Sequence, residues 1–272
     1  MTQGIDLTDR VAVVTAGASG LGAYAAISLA RYGADVVIGD IDAEAAAKTV
    51  AEVEALGRRA LFVETNALLT DQLESLVEQA AKAFGRVDIL VNNAGGVSKR
   101  NFMDSIEKSW RKHIDMNLVS MLAATYAAVK VMREGKRGGV IINVSSVEGT
   151  RGAPGFAVYA ACKAGMINFT SSMAAELADD GIRVLALAPD MVRTPGITRF
   201  GAETPETAAA RERYIPLRRM GDAEEYGGLV AFLCSDMASY LTGIHLRVDG
   251  GALAATGFQR SKDTGSWELL HP

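Results

Sequence analysis

Short continuous apolar runs alternate with longer stretches whose apolar positions recur at helical spacing. The short runs lie near residues 11–15, 35–39, 60–64, 87–91, 139–144, 183–188 and 244–248. Their brevity and lack of polar alternation predict strands buried on both faces. Good helix formers fill 43–56, 69–84, 109–133, 157–178 and 222–234. Gly33, Gly57, Gly85 and Gly181 fall just before the next strand, where helix-ending glycines belong. This alternation predicts an α/β fold with a doubly wound, parallel, seven-stranded sheet and helices on both faces. No repeat, linker or low-complexity tract interrupts it, so residues 1–272 read as a single domain.

Two segments break the pattern. Residues 195–220 lie between the sixth strand and the helix near Asp222, beyond the carboxyl ends of the strands where ligands of such sheets bind, and read as a substrate lid. Residues 252–272 form a weakly patterned tail, expected to pack on a neighbouring subunit or to stay mobile.

The first strand runs into T-A-G-A-S-G-L-G, with Gly17, Gly20 and Gly22 ahead of a helix-like stretch beginning at Ala23. Strand, glycine turn and helix is the dinucleotide-binding order, in which glycines let backbone approach a pyrophosphate and the helix N-terminus offers it free N–H groups. The second strand ends in Asp40, eighteen residues after Gly22, where a carboxylate can bind ribose hydroxyls. Further on, Tyr159 and Lys163 stand one helical turn apart in Y-A-A-C-K, with Ser146 thirteen residues upstream of the tyrosine. An ammonium at i+4 can sit beside the phenol and favour its ionised form, which makes the tyrosine usable as a base. Ser145 is the competitor for the serine's place; the thirteen-residue spacing favours Ser146.

Together these motifs resemble the short-chain dehydrogenase/reductase family. The resemblance covers nearly the whole chain and adds Asn92-Asn93-Ala94-Gly95, Asn117 in M-N-L, Pro189 to Thr194, and the stretch from Leu241 to Gly251. It implies a Rossmann fold and an NAD-dependent alcohol dehydrogenase or ketoreductase with a catalytic set of Asn117, Ser146, Tyr159 and Lys163. Ser146 would hold the substrate oxygen, Lys163 the nicotinamide ribose, and Asn117 a water linking Lys163 to solvent. The implied cofactor contacts are Gly17, Ser19, Gly20, Leu21, Gly22, Asp40, Ile41, Asn66, Ala67, Asn93, Ala94, Gly95, Tyr159, Lys163, Pro189, Val192 and Thr194. Asp40, with Ser19 where members preferring the phosphorylated cofactor tend to carry a basic residue, points to NAD rather than NADP. Candidate substrate contacts are Ser146, Glu148, Asp190 and Phe200.

The chain departs from the family pattern at three places. Ala16 stands where glycine usually follows the turn threonine, which predicts a slightly shifted turn. Asp190 replaces the glycine after Pro189, with a side chain expected to turn outward or, alternatively, to meet a polar substrate group or disturb the cofactor. Glu148 stands where small residues are common, either facing the substrate cavity or solvated. The lid residues Ile197, Phe200, Tyr214, Ile215, Leu217 and Met220 suggest a cyclic or bulky apolar secondary alcohol. The lid arginines Arg193, Arg199, Arg211, Arg213, Arg218 and Arg219, interleaved with Glu203, Glu206 and Glu212, read as a solvated face or, alternatively, one of them as a contact for an anionic substrate.

A net charge of -4 gives no support for nucleic-acid binding. Apolar stretches are interrupted before they could span a bilayer and the N-terminus has no signal core, so a cytoplasmic protein is expected. Cys162 and Cys234 have no metal spacing and read as reduced structural thiols, and no histidine shows ligand spacing. A 3-oxoacyl-[acyl-carrier-protein] reductase is the second enzymatic reading. Acidic Asp179-Asp180 ahead of Gly181, where such reductases commonly carry a basic residue, makes carrier-protein docking an unfavourable expectation. A catalytically silent dinucleotide-binding scaffold is the reading from another class, and the resemblance implies a homotetramer.

Overall fold

A computed structural model describes residues 4–194 and 204–269. Strands β1 (Val11–Thr15), β2 (Asp35–Asp40), β3 (Ala60–Glu64), β4 (Ile89–Asn92), β5 (Gly139–Val144) and β6 (Ile182–Pro189) alternate with α1 (Gly20–Arg31), α2 (Ala43–Ala55), α3 (Thr70–Phe84), α4 (Glu107–Ile114), α5 (Ser120–Gly135) and α6 (Ala157–Glu176). The chain continues through β7 (Val192–Arg193), α7 (Pro205–Tyr214), β8 (Gly221–Asp222), α8 (Ala223–Cys234), β9 (His245–Val248), β10 (Phe258–Arg260) and β11 (Trp267–Leu269). Seven strands form one parallel sheet in the order β3-β2-β1-β4-β5-β6-β9. The α/β Rossmann expectation is met.

Alternation within the strands feeds two cores. Ala12, Val14, Ile89 and Ile142 pack under α1 and α8 with Leu29, Tyr226 and Val230. Val11, Val13, Leu90 and Ile141 point the other way, against Leu73, Leu76 and Val77 of α3 and Met132 of α5. Both faces of every central strand are therefore buried, which is why these strands read as unbroken apolar runs. Gly33, Gly57, Gly85 and Gly181 all take left-handed φ as the helix-ending reading requires.

Strand order reverses between β1 and β4. Past their carboxyl ends lies a crevice flanked by loops running to opposite faces of the sheet, the position where such folds bind ligands. Four side chains cross-brace this end of the sheet below the surface. Asn92 on β4 donates to Thr125 of α5 at 2.9 Å and to Asn143 of β5 at 2.8 Å, and Asn143 donates to Thr170 of α6 at 2.9 Å. All four are buried.

Several elements differ from their sequence-based bounds. The helix expected over 109–133 is two helices joined by a π-helical turn, Asp115–Val119, a deviation hydropathy cannot show because the apolar positions barely move. Glu107–Gly135 is also long and apolar enough by composition to cross a bilayer, yet α5 buries Met121, Ala124, Ala128 and Met132 inside the protein. Within 195–220, residues 204–220 hold α7, which begins with a capping box at Thr204 and Thr207, and the segment returns to the body through the β7–β8 pair. The tail folds as an antiparallel hairpin, β10 against β11.

Replacing Thr170 by valine keeps the volume but removes the acceptor for Asn143. A buried amide donor left unpaired costs about 1–3 kcal/mol. Urea unfolding of Thr170→Val is expected to show a loss in that range with an unchanged denaturant slope.

Candidate active site

The glycine turn is built from the ends of β1 and β4. Thr15 Oγ1 accepts from the backbone N–H groups of Asn93 and Ala94, both at 3.0 Å. Asn93 returns the tie by donating through Nδ2 to the carbonyls of Thr15 at 3.1 Å and Ala16 at 2.9 Å. Ala16 itself adopts the left-handed conformation, with φ of 50°, and Gly17 lies against Val14 and Ile38, where an added Cβ would be 3.0 Å from the Val14 carbonyl oxygen. Gly22 is mandatory for space: a Cβ there would come within 2.2 Å of the Ala16 carbonyl oxygen and 2.5 Å of Asn93 Nδ2.

Gly20 has φ of 56° and nothing within 4 Å of an added Cβ, so left-handed backbone here faces open space at the head of α1. Ser19 provides no side-chain cap, leaving N–H groups of the first turn, which includes Leu21, free for an anion. Asp40 accepts from the N–H groups of Ala18 at 3.0 Å and Asp42 at 3.1 Å, which fixes its carboxylate beside the turn. Next to it Ile41 is 68% exposed, an apolar surface suited to a flat ring. Asn66 accepts from Leu68 N–H at 3.0 Å, and Ala67 is half-buried against the α3 core. These residues fit a nicotinamide dinucleotide.

The second constellation converges from β5, α6 and the π-turn. Ser145 and Ser146 divide the work: Ser145 donates to the Lys163 carbonyl at 2.9 Å, tying β5 to α6. Ser146 Oγ accepts from Glu148 N–H at 3.2 Å and is near enough to the Tyr159 phenol to favour its ionised form. Lys163 is 3% exposed, and its Nζ donates to the Val144 carbonyl at 2.7 Å, 5.6 Å from the Tyr159 ring centroid. Burial pulls the Lys163 ammonium down to about 8. Burial also pushes the Tyr159 phenol above its ordinary value, the Ser146 hydroxyl opposing and the Glu148 charge adding. The lysine is thus close to the phenol, while burial governs the phenol in the protein alone.

Asn117 is completely buried. Its Nδ2 donates to the Gly96 and His113 carbonyls at 2.9 and 3.0 Å, and its Oδ1 accepts from Gly96 N–H at 3.0 Å. No donor remains, but the second lone pair of Oδ1 does. A Cβ on Gly95 would lie 3.0 Å from that oxygen and 3.4 Å from Lys163 Nζ, so the bare Gly95 backbone keeps open a spot that both groups reach.

Pro189 ends β6, Val192 is buried and Thr194 is half-buried. Asp190 corrects the outward reading. Its side chain is 9% exposed, with Oδ1 at 3.7 Å from Arg151. Burial, opposed by Arg151 and reinforced by Glu148 and Asp249, raises its carboxyl to about 6. Glu148 is no solvated loop carboxylate either: it accepts from Arg151 Nε at 3.1 Å and Nη2 at 2.7 Å. Arg151 also donates to the Tyr214 hydroxyl of α7. Arg151 escaped the sequence reading, although an opposite charge three residues after Glu148 was a readable signal. Among the lid residues, Ile215 and Met220 are buried in the body, while Leu217 is 66% exposed. Phe200 lies outside the described residues, as do Ile197 and Arg199. Beside Tyr159, a small cleft is walled by Phe102, Trp110, Phe156 and Val158.

Comparison with known proteins agrees with this geometry. A family model described as enoyl-(acyl carrier protein) reductase matches residues 15–252. The chain belongs to the short-chain dehydrogenase/reductase family. Within it, the chain is 41% identical over 256 residues to 3beta-hydroxysteroid dehydrogenase 1 of Eggerthella lenta, covering 93% of this chain and 97% of that one. It is 39% identical over 245 residues to 3-oxoacyl-[acyl-carrier-protein] reductase of Thermotoga maritima, covering 90% and 98%. A crystal structure described as a short-chain alcohol dehydrogenase from Sinorhizobium meliloti superposes with a TM-score of 0.88 at 36% identity, covering 92% and 98% of the two chains. As a short-chain dehydrogenase/reductase, the protein is an oxidoreductase of CH–OH substrates that binds a nicotinamide dinucleotide.

Ala16 carries a side chain in a conformation that costs an L-residue roughly 1–2 kcal/mol, part of which glycine returns as unfolded-chain entropy. Ala16→Gly is expected to raise stability by about 0.5–1 kcal/mol, read as an upward shift in Tm of a few degrees.

Proposed function

We propose that the protein is an NAD-dependent dehydrogenase that interconverts a cyclic secondary alcohol and its ketone, with Tyr159 as general acid and base. The convergence of Ser146, just past β5, on Tyr159 with a buried Lys163 one helical turn on, its Nζ 5.6 Å from the Tyr159 ring centroid, carries the reading. Bound NAD would supply the acceptor for the hydride that leaves the carbinol carbon. Ser146 holds the carbinol oxygen, and Tyr159 Oη takes the hydroxyl proton. Lys163 keeps a positive charge near the phenol, where it favours the ionised form. The point between Asn117 Oδ1 and Lys163 Nζ suits a water through which that proton moves on. Thr194, Pro189 and Val192 line the nicotinamide end, and Asn93, Ala94 and Gly95 its ribose side.

Cyclic substrates are favoured by the aromatic wall of Phe102, Trp110 and Phe156 beside Tyr159 and by the likeness to a steroid dehydrogenase. The protein works as a cytoplasmic homotetramer in this reading, for which exposed Leu122 and Tyr126 on α5 supply apolar surface.

Tyr159→Phe should fold and bind NAD normally while losing at least ~100-fold in kcat. In the wild type, a phenol held above its ordinary value must lose its proton for oxidation, so oxidation is expected to accelerate as pH rises from neutral into the alkaline range. Substantial turnover by folded Tyr159→Phe, or oxidation slowing with rising pH, would count against the role.

A 2′-phosphate beside Asp40 would meet like charge, and Ser19 offers it no cation. Catalytic efficiency with NAD should exceed that with NADP by an order of magnitude or more, roughly the effect of a coupling of one to two kcal/mol. Asp40→Asn should narrow that difference without making NADP a good substrate. Preference of the wild type for NADP would overturn the cofactor assignment.

An acidic acyl carrier protein is attracted by basic patches and repelled by carboxylates. Asp180 accepts from Arg133 at 2.8 Å, so one local cation is already neutralised. A carrier-bound β-ketoacyl chain is expected to show no advantage over its free thioester in steady-state kinetics; a large, salt-sensitive gain would favour the 3-oxoacyl reductase instead.

A further inference from the structure

The turn that follows Ser146 brings a pair of opposite charges to the edge of the acid–base site. Glu148 N–H donates to Ser146 Oγ at 3.2 Å, and Gly149 N–H donates to the Ser146 carbonyl at 3.0 Å. The turn is seated on α6 at the level of Lys163: a Cβ on Gly149 would lie 2.8 Å from the Lys163 carbonyl carbon. From this seat, beside Ser146 and against the helix that carries Tyr159, the negative charge of Glu148 acts on the phenol and opposes its ionisation.

Arg151 answers that charge. Its Nε and Nη2 donate to the two oxygens of Glu148 at 3.1 and 2.7 Å, a two-point contact that a planar guanidinium makes and a lysine does not. Arg151 and Glu148 are 26% and 22% exposed, so water and salt screen the pair less than one at the open surface. On its outer side Arg151 donates to the Tyr214 hydroxyl, with Asp190 Oδ1 at 3.7 Å and Asp249 bearing on Asp190 in turn. Tyr159 itself has Lys163 nearby, with Cys162 bearing on the ammonium, and shares its cleft with Arg100 and His113. Among the described residues, Glu148 is the one carboxylate that bears on the phenol, and Arg151 is its only cation. We propose that Arg151 is a positioning residue of the acid–base site: by holding Glu148 and cancelling its charge, it keeps Tyr159 able to give up its proton near neutral pH. This rests on the role of Tyr159 in the dehydrogenase reading and adds to it a residue that acts through Glu148.

The test compares Arg151→Met, Glu148→Gln and the double variant with the wild type in the oxidation of cyclohexanol and of a 3β-hydroxysteroid, at saturating NAD, from neutral into the strongly alkaline range. Methionine keeps an unbranched apolar stem without the charge; glutamine keeps the shape of Glu148 and an oxygen for Arg151. Arg151→Met should lose about 3- to 10-fold in kcat/KM at neutral pH, and the loss should fade as pH rises, because a fully ionised phenol no longer depends on the pair. Glu148→Gln should move the midpoint of the pH profile downward, and the double variant, carrying neither charge, should return close to the wild type. A merely structural role would lower the rate at every pH and would not be relieved by Glu148→Gln. Carbon-13 NMR titration of ring-labelled tyrosine in the same proteins without NAD gives a readout free of turnover: Tyr159 should titrate higher in Arg151→Met and lower in Glu148→Gln than in the wild type. Those shifts in a protein that oxidises neither alcohol would uphold the inference and count against the dehydrogenase reading alone. A Tyr159 midpoint unmoved in both folded single variants, or a loss in Arg151→Met that is equal at all pH values, overturns it. Should Arg151→Met fail to fold, Glu148→Gln decides by the sign of its shift: downward upholds the inference, and no shift or an upward one overturns it.

Discussion

Lys163 holds its ammonium at 3% exposure, and among the described residues no carboxylate pairs with it. Taking such a charge out of water costs several kcal/mol, and here no carboxylate repays it: Nζ donates to the Val144 carbonyl. Much of the surrounding architecture follows from keeping that group in place. Ser145 ties the backbone of Lys163 to the end of β5, Asn143 ties β5 to α6 through Thr170, and Asn117 fixes the Gly95–Gly96 backbone alongside. The result is a cation held in a low-dielectric floor beneath a phenol, where charge acts more strongly than it would in water.

The glycine turn obeys the same logic with backbone in place of side chains. Thr15 and Asn93 join β1 to β4 where the strand order reverses. Because both residues are spent on that joint, neighbouring N–H groups remain directed outward from the head of α1. The floor of the acid–base site and the cradle of the dinucleotide site are therefore two ends of one hydrogen-bonded frame at the carboxyl edge of the sheet.

Much of this was legible in the sequence. Strands buried on both faces produce apolar runs that no other element explains, and glycines at 17, 20 and 22, with Asp40 beyond β2, announce the turn. Ser146, Tyr159 and Lys163 were readable because helical periodicity and a strand end fix their spacing. What escaped was set by contacts distant in sequence or by backbone geometry. Ala16 adopts the left-handed conformation, and Asn93 grips its carbonyl in an interaction 77 residues long. The direction of Asp190 depends on Arg151, in another loop, and on Tyr214, in α7. The π-turn at Asn117 leaves the hydropathy pattern almost unchanged, and the apolar count of the lid could not show that Ile215 and Met220 face the body.

Burial raises the Tyr159 phenol in the protein alone, and positive charge must lower it for oxidation. Titration of the protein carrying ring-labelled tyrosine, followed by carbon-13 NMR with and without NAD and assigned through Tyr159→Phe, measures this directly. Tyr159 is expected to titrate above the ordinary tyrosine value without nucleotide and to shift downward when NAD is bound. A phenol already ionised at neutral pH in the free protein, or one indifferent to NAD, would contradict it.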